Sequence, residues 1–151
     1  MLTLPQMADL ARSHREDLDH PVASLLIGDR TFDFSDGPAL MGVVNLSPDS
    51  TYRDSIANTT ESALRKARVM ATEGASIIDI GAESTTAKAS RVGAVAQIDA
   101  LIPVIAPLAA DGLIVSTETY EPTVVEAALA AGTQVLNMTG VEHEQRMLEL
   151  A

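Results

Sequence analysis

Twice in this chain a glycine stops a helical pattern, and a short apolar run follows that carries a polar residue near its end. The two segments are Gly74-Ala-Ser-Ile-Ile-Asp79-Ile-Gly81 and Gly132-Thr-Gln-Val-Leu-Asn137-Met-Thr-Gly140. Both read as helix stop, turn, apolar pair, polar residue and strand exit. In the first, Ile77, Ile78 and Ile80 are β-branched, and so short a continuous apolar run suits a parallel strand covered on both faces. Asp79 is the exception inside it. A carboxylate there is costly unless paired or hydrogen-bonded, so it is either a satisfied structural group or a contact to a ligand.

The rest of the chain repeats the alternation. Leu4, Met7, Ala8 and Ala11 have helical spacing. Leu25 to Ile27 and Arg30 to Phe34 are β-prone runs around Gly28-Asp29, a hairpin signal. Strands are predicted at Met41–Asn45, Ile77–Ile80, Leu113–Ser116 and Val135–Asn137. Between them lie helices capped by Thr59 or Thr60 and stopped by Gly74, from Val92 to Ala110, and from Pro122 to Gly132; a last helix runs from Glu142 to Ala151. Pro103 and Pro107 predict a break or kink in the second of these. The loop from Leu46 to Asn58 exceeds the ~2–6 residues of an ordinary βα connection, a mark of functional loops.

Regular βα alternation fits an α/β barrel or an open doubly wound sheet. The first βα junction reads Asn-Leu-Ser-Pro-Asp-Ser, with no Gly-x-Gly-x-x-Gly, so the dinucleotide-binding open sheet is disfavoured. A full barrel takes ~250 residues. The 151 residues here hold about four βα units, the N-terminal half of a (βα)8 barrel preceded by a hairpin. The expected division is an N-terminal extension over residues 1–24 and the partial barrel over 25–151. Such a half is either a fragment of a longer protein or associates as a homodimer.

A net charge of -11 argues against nucleic acid or an anionic membrane surface as partner, since either needs a basic face. A small phosphate ligand remains compatible, because backbone N–H groups, a metal ion or one or two cations hold it locally. The chain has no cysteine, which removes disulfides, thiolate metal sites and cysteine nucleophiles and fits a reducing, cytoplasmic setting. His14, His20 and His143 show no zinc-ligand spacing. No apolar run approaches the ~20 residues that cross a bilayer.

Each predicted strand ends in polar groups: Asn45 and Asp49, then Asp79, Glu83, Ser84 and Thr85, then Ser116 and Glu118, then Asn137. In a barrel these converge on the carboxyl-terminal face, where active sites lie. For any one of them the competing reading is a helix cap or a turn residue. Agreement among four strand ends favours a shared site.

Three stretches make a family resemblance visible. Met41-Gly-Val-Val-Asn-Leu-Ser-Pro-Asp-Ser50, Ile-Asp-Ile-Gly-Ala-Glu-Ser-Thr85, and Ser-Thr-Glu-Thr-Tyr120 followed by Val-Leu-Asn-Met-Thr-Gly140 resemble, in order, the signatures of dihydropteroate synthase. The resemblance covers roughly Arg30 to Ala151 and extends less closely to the pterin-binding domains of corrinoid-dependent methyltransferases. It implies condensation of a dihydropterin diphosphate with para-aminobenzoate, releasing pyrophosphate, on a (βα)8 barrel. It further implies Asn45 as a ligand of Mg2+ on the diphosphate, Asp79, Glu118 and Asn137 at the pterin, Ser84 and Thr85 on the aminobenzoate and phosphate side, and Asp49 and Asp54 as catalytic groups of the first loop.

The chain also departs from that family. Thr86-Ala87-Lys88 stands where Arg-Pro-Gly is usual, and a lysine does not reproduce a bidentate arginine. The first loop reads Ser50-Thr51-Tyr52-Arg53-Asp54-Ser55, without the family's glycines and with its second aspartate moved by one position. Glu118 replaces an aspartate, and Met138 stands where an aspartate follows the asparagine. These departures leave a non-catalytic or divergent pterin-binding paralogue, or a pterin-dependent methyltransferase domain, as the alternative.

Overall fold

The computed structural model describes residues 2–35, 37–47, 53–84, 91–138 and 143–151. Helices α1 (Leu4–Ser13) and α2 (Arg15–Leu18) come first, with α1 closed by a capping box between Thr3 and Gln6. Strands β1 (Leu25–Ile27) and β2 (Arg30–Phe32) form the expected antiparallel hairpin, with Gly28 in the left-handed region at φ +60°. Then follow β3 (Leu40–Asn45), α3 (Thr60–Thr72), β4 (Ala75–Gly81), α4 (Ala94–Ala110), β5 (Ile114–Glu118), α5 (Pro122–Ala130), β6 (Val135–Asn137) and α6 (Glu144–Leu150).

Strands β3, β4, β5 and β6 are parallel neighbours in chain order, so all four carboxyl ends lie on one side. Alternation divides their side chains between two faces. Val44, Ile78, Ile80 and Val115 point to the helical side and pack with Ala63 and Ala67 of α3, Leu101, Val104, Ile105 and Leu108 of α4, and Val124 and Ala128 of α5. Each is almost wholly buried, which stabilises by about 1.5–3 kcal/mol per large aliphatic side chain. Gly42 sits on this face because Met70 is pressed against it: an added Cβ would lie 2.8 Å from Sδ.

The helix signals read as expected at α3, where Thr59 accepts from the Ser62 N–H at 3.1 Å and Ser62 Oγ accepts in return from the Thr59 N–H. Gly74, at φ +111°, ends that unit. Two expectations fail in α4. The helix starts at Ala94, not Val92, because the Val92 carbonyl is taken by the Gln97 side chain at 2.9 Å. It also continues through Pro103 and Pro107 without a break, since the buried stripe of Leu101, Val104, Ile105 and Leu108 spans both prolines and packing offsets the missing backbone bonds. The third strand is displaced too: it runs to Glu118, which pairs with Gly81.

The hairpin caps the amino-terminal ends of the sheet. Arg30 donates to the Ser76 carbonyl and hydroxyl, both at 3.4 Å, and Gly28 lies against the Gln134 side chain just before β6. The opposite end, with the four polar strand exits, is left for other use.

Candidate functional site

Strand register stacks the inward side chains in two rows. Val43, Asp79, Ser116 and Val135 form the lower row; Asn45, Gly81, Glu118 and Asn137 form the row at the strand exits. Asp79 and Asn137, at equivalent places in the repeated segments, therefore occupy different rows. Parallel strands stagger as a sheet curls toward a barrel, and the offset lets these two meet diagonally.

Asp79 is 3% exposed. Its Oδ1 accepts from Ser116 Oγ at 2.6 Å and its Oδ2 from Asn137 Nδ2 at 3.1 Å. Two donors on a buried carboxylate offset its desolvation. They also fix the Asn137 amide so that its oxygen, an acceptor, faces away from Asp79. Beside this pair Glu118 is half-buried. Burial first, and then the negative charge of Asp79, push its carboxyl above the ordinary 4.5 of a glutamate.

Asn45 is held from the other side. Its Nδ2 donates to Ser55 Oγ at 2.6 Å, and its backbone carbonyl accepts from the Ala57 N–H at 2.8 Å, so the chain after the first loop returns to the end of β3. Lys66 on α3 locks that return by donating to the carbonyls of Asp54 and Ile56. With its nitrogen engaged, Asn45 presents Oδ1 toward Gly81, a hard oxygen of the kind Mg2+ takes.

A second polar cluster lies at the rim. Glu83 is 9% exposed and accepts from Tyr120 Oη at 2.6 Å and from Gln97 Nε2 at 2.9 Å, with Arg91 at 3.5 Å. The Arg91 guanidinium also lies over the Tyr120 ring at 4.7 Å, a cation–π contact. Thr119 Oγ1 donates to Gln97 Oε1. This cluster ties the exits of β4 and β5 to the start of α4.

Of the residues singled out in the sequence, Asn45, Glu118 and Asn137 are brought together at the strand exits, with Asp79 one row below them on the same face. Ser84 is half-buried just past β4. Asp54 is exposed and is held through its backbone; no hydrogen bond joins its carboxylate to the inward cluster among the described residues. Asp49, Thr85, Thr86 and Lys88 lie outside the described residues. Sequence reasoning missed Ser55 and Gln97 as supports of the site. Gln97 carries a readable signal, since it is a polar residue on the stripe that continues through Leu101, Val104 and Leu108.

Residues 41–151 match the family model described as pterin binding enzyme. Similar proteins include the mitochondrial folate synthesis bifunctional protein of Arabidopsis thaliana, 37% identical over 117 residues, or 75% of this chain and 21% of that protein. A Yersinia pestis dihydropteroate synthase solved with a sulfonamide drug complex superposes with a TM-score of 0.76 at 32% identity, covering 85% of this chain and 46% of that one. The Burkholderia cenocepacia dihydropteroate synthase complexed with 7,8-dihydropteroate gives a TM-score of 0.65 at 35% identity, covering 78% and 38%. The chain thus spans less than half the length of these relatives, and its parallel sheet corresponds to part of their TIM barrel. Among the described residues no helix is long and apolar enough to cross a membrane. The chain belongs to the pterin-binding enzyme family, and its relatives are dihydropteroate synthases and bifunctional folate synthesis proteins.

Proposed function

We propose that this chain is the pterin-holding part of a dihydropteroate synthase-type transferase, which condenses a dihydropterin diphosphate with para-aminobenzoate. The observation that carries the proposal is the buried Asp79 carboxylate, bonded by Ser116 and Asn137 and flanked by Glu118 at the strand exits. A pterin ring edge offers several N–H groups and ring nitrogens in one plane, and a carboxylate with an oriented amide complements such an edge. The 7,8-dihydropteroate held by the Burkholderia cenocepacia enzyme joins both halves of the proposed reaction.

In this reading Asp79 and Asn137 hold and orient the ring. Asn45 would hold Mg2+ through Oδ1, its Nδ2 being bonded to Ser55. Among the described residues no cluster of three His, Cys, Asp or Glu could hold a metal ion; a site with few protein ligands would suit Mg2+, which keeps water and phosphate oxygens around it. When bound, Mg2+ supplies charge neutralisation to the departing pyrophosphate. Ser84 and Thr85 flank the aminobenzoate and phosphate side, and Asp49 and Asp54 belong to the first loop that would face the diphosphate. The aminobenzoate nitrogen forms the new C–N bond as the C–O bond to the diphosphate breaks. A cytoplasmic setting, and assembly as a homodimer, complete the proposal.

The test is pyrophosphate release by the full-length protein given a dihydropterin diphosphate, para-aminobenzoate and Mg2+. Release that requires both substrates is expected. Binding of the pterin without release favours the paralogue reading, which the altered Thr86-Ala87-Lys88 stretch supports.

A further inference from the structure

We infer that Gln97 is a positioning residue: it ties the exit of β4 to the exit of β5 and thereby places Ser84 against the second substrate. Gln97 sits in the first turn of α4 and is 1% exposed. Its Nε2 donates to Glu83 Oε2 and to the Val92 carbonyl, both at 2.9 Å, and its Oε1 accepts from Thr119 Oγ1 at 3.1 Å. Both amide protons and the amide oxygen are engaged, one side on Glu83 past β4 and the other on Thr119 past β5.

Packing alone does not call for an amide here. An apolar side chain would continue the stripe of Leu101, Val104 and Leu108 without the desolvation that a buried amide costs. A fully bonded buried network instead fixes one arrangement of its members. The two strand exits differ in how much they need this. The ladder holds β5 to β6 as far as Glu118 and Asn137, and the Thr119 N–H then donates to the Asn137 carbonyl at 3.3 Å. The ladder of β4 ends at Gly81. Glu83 lies beyond that end, and its buried carboxylate is set by Gln97 together with Tyr120 and Arg91. Ser84 is the next residue, so a shift of Glu83 is a shift of Ser84. Asp79 and Asn137 are bonded to each other on the strands themselves and stay in place. The inference rests on the reading above for the identity of the substrate that Ser84 meets.

The experiment compares the full-length wild type with Gln97→Met, Thr119→Val and Thr119→Ser, given a dihydropterin diphosphate, para-aminobenzoate and Mg2+. Gln97→Met and Thr119→Val nearly keep side-chain volume and remove the bonds. Each should raise KM for para-aminobenzoate roughly tenfold, since a misplacement of about 1 Å costs up to about 10²-fold. Affinity for an unphosphorylated pterin, measured by calorimetry, should be unchanged. Thr119→Ser keeps the hydroxyl and should keep the wild-type KM. Should Gln97→Met fail to fold, Thr119→Val decides. A folded variant with unaltered KM for para-aminobenzoate, or with pterin affinity reduced by the same factor as KM is raised, overturns the inference. Backbone hydrogen exchange separates this outcome from failure of the enzyme reading. If the wild type releases no pyrophosphate, that reading falls. Exchange over Ala82–Ser84 roughly tenfold faster in Gln97→Met, with Ile77–Ile80 unchanged, then keeps the positioning role of Gln97, and unchanged exchange over Ala82–Ser84 overturns it.

Discussion

Asn137 on β6 donates to Asp79 on β4 across the whole width of the intervening β5, with 3.1 Å between Nδ2 and Oδ2. Adjacent strands lie ~4.8 Å apart, so these backbones are separated by roughly 10 Å. Two short side chains can span that gap only on the concave side of a curled sheet. The contact therefore reports curvature and site assembly together.

Removing one end of it should be felt in both. Asn137→Ala leaves Asp79 Oδ2 without its donor at a buried position, and should destabilise the fold by roughly 1–3 kcal/mol in a urea titration. It should also weaken binding of an unphosphorylated pterin more than Asn45→Ala does, since Asn45 would touch only the diphosphate arm. Equal losses for the two variants would contradict this division of roles.

Ser116 is the quieter partner. It is wholly buried, and its hydroxyl is 2.6 Å from Asp79 Oδ1. Ser116→Ala should cost roughly 1–3 kcal/mol of stability, and a double-mutant cycle with Asn137→Ala should show coupling, because both act on one carboxylate. Strict additivity would contradict the shared-carboxylate account.

Much of this was readable before any coordinates. Gly74 and Gly132 marked the unit ends, Thr59 the cap of α3, and Gly28-Asp29 the hairpin, because each is a local backbone requirement. Asn45, Glu118 and Asn137 were readable as strand exits, and Asp79 as a polar group on the same strands, though it sits one row deeper. What local patterns could not supply was stagger: aligning the repeats sets Asp79 level with Asn137, whereas the sheet sets Asn137 level with Gly81. The prolines of α4 misled for a related reason, since the packing that holds the helix through them comes from residues distant in sequence. Ser55 carried no signal, because nothing in its neighbourhood announces that the chain turns back onto Asn45.

The rim cluster gives a third expectation. Tyr120→Phe removes a 2.6 Å hydrogen bond to the buried Glu83 carboxylate. Bonds to charged groups contribute about 1.5–3 kcal/mol, so thermal or urea unfolding should register a loss of that order. An unchanged midpoint would show that Gln97 and Arg91 satisfy Glu83 without the tyrosine.

pH dependence follows from Glu118. Its carboxyl is held above 4.5 in the folded protein, by burial and then by Asp79, so the folded state keeps this proton more tightly than the unfolded chain. The stabilisation from this group is complete below 4.5 and is lost as pH rises through the folded value. In metal-free protein, Glu118→Gln should therefore flatten the fall in stability with rising pH above 4.5. Matching pH slopes for variant and wild type would contradict the assignment.

The most direct test of the pterin site is calorimetric titration of the full-length protein with a dihydropterin diphosphate, with and without Mg2+. The account predicts saturable binding that Mg2+ strengthens and that Asn137→Ala weakens. No binding of the diphosphate under either condition would contradict it.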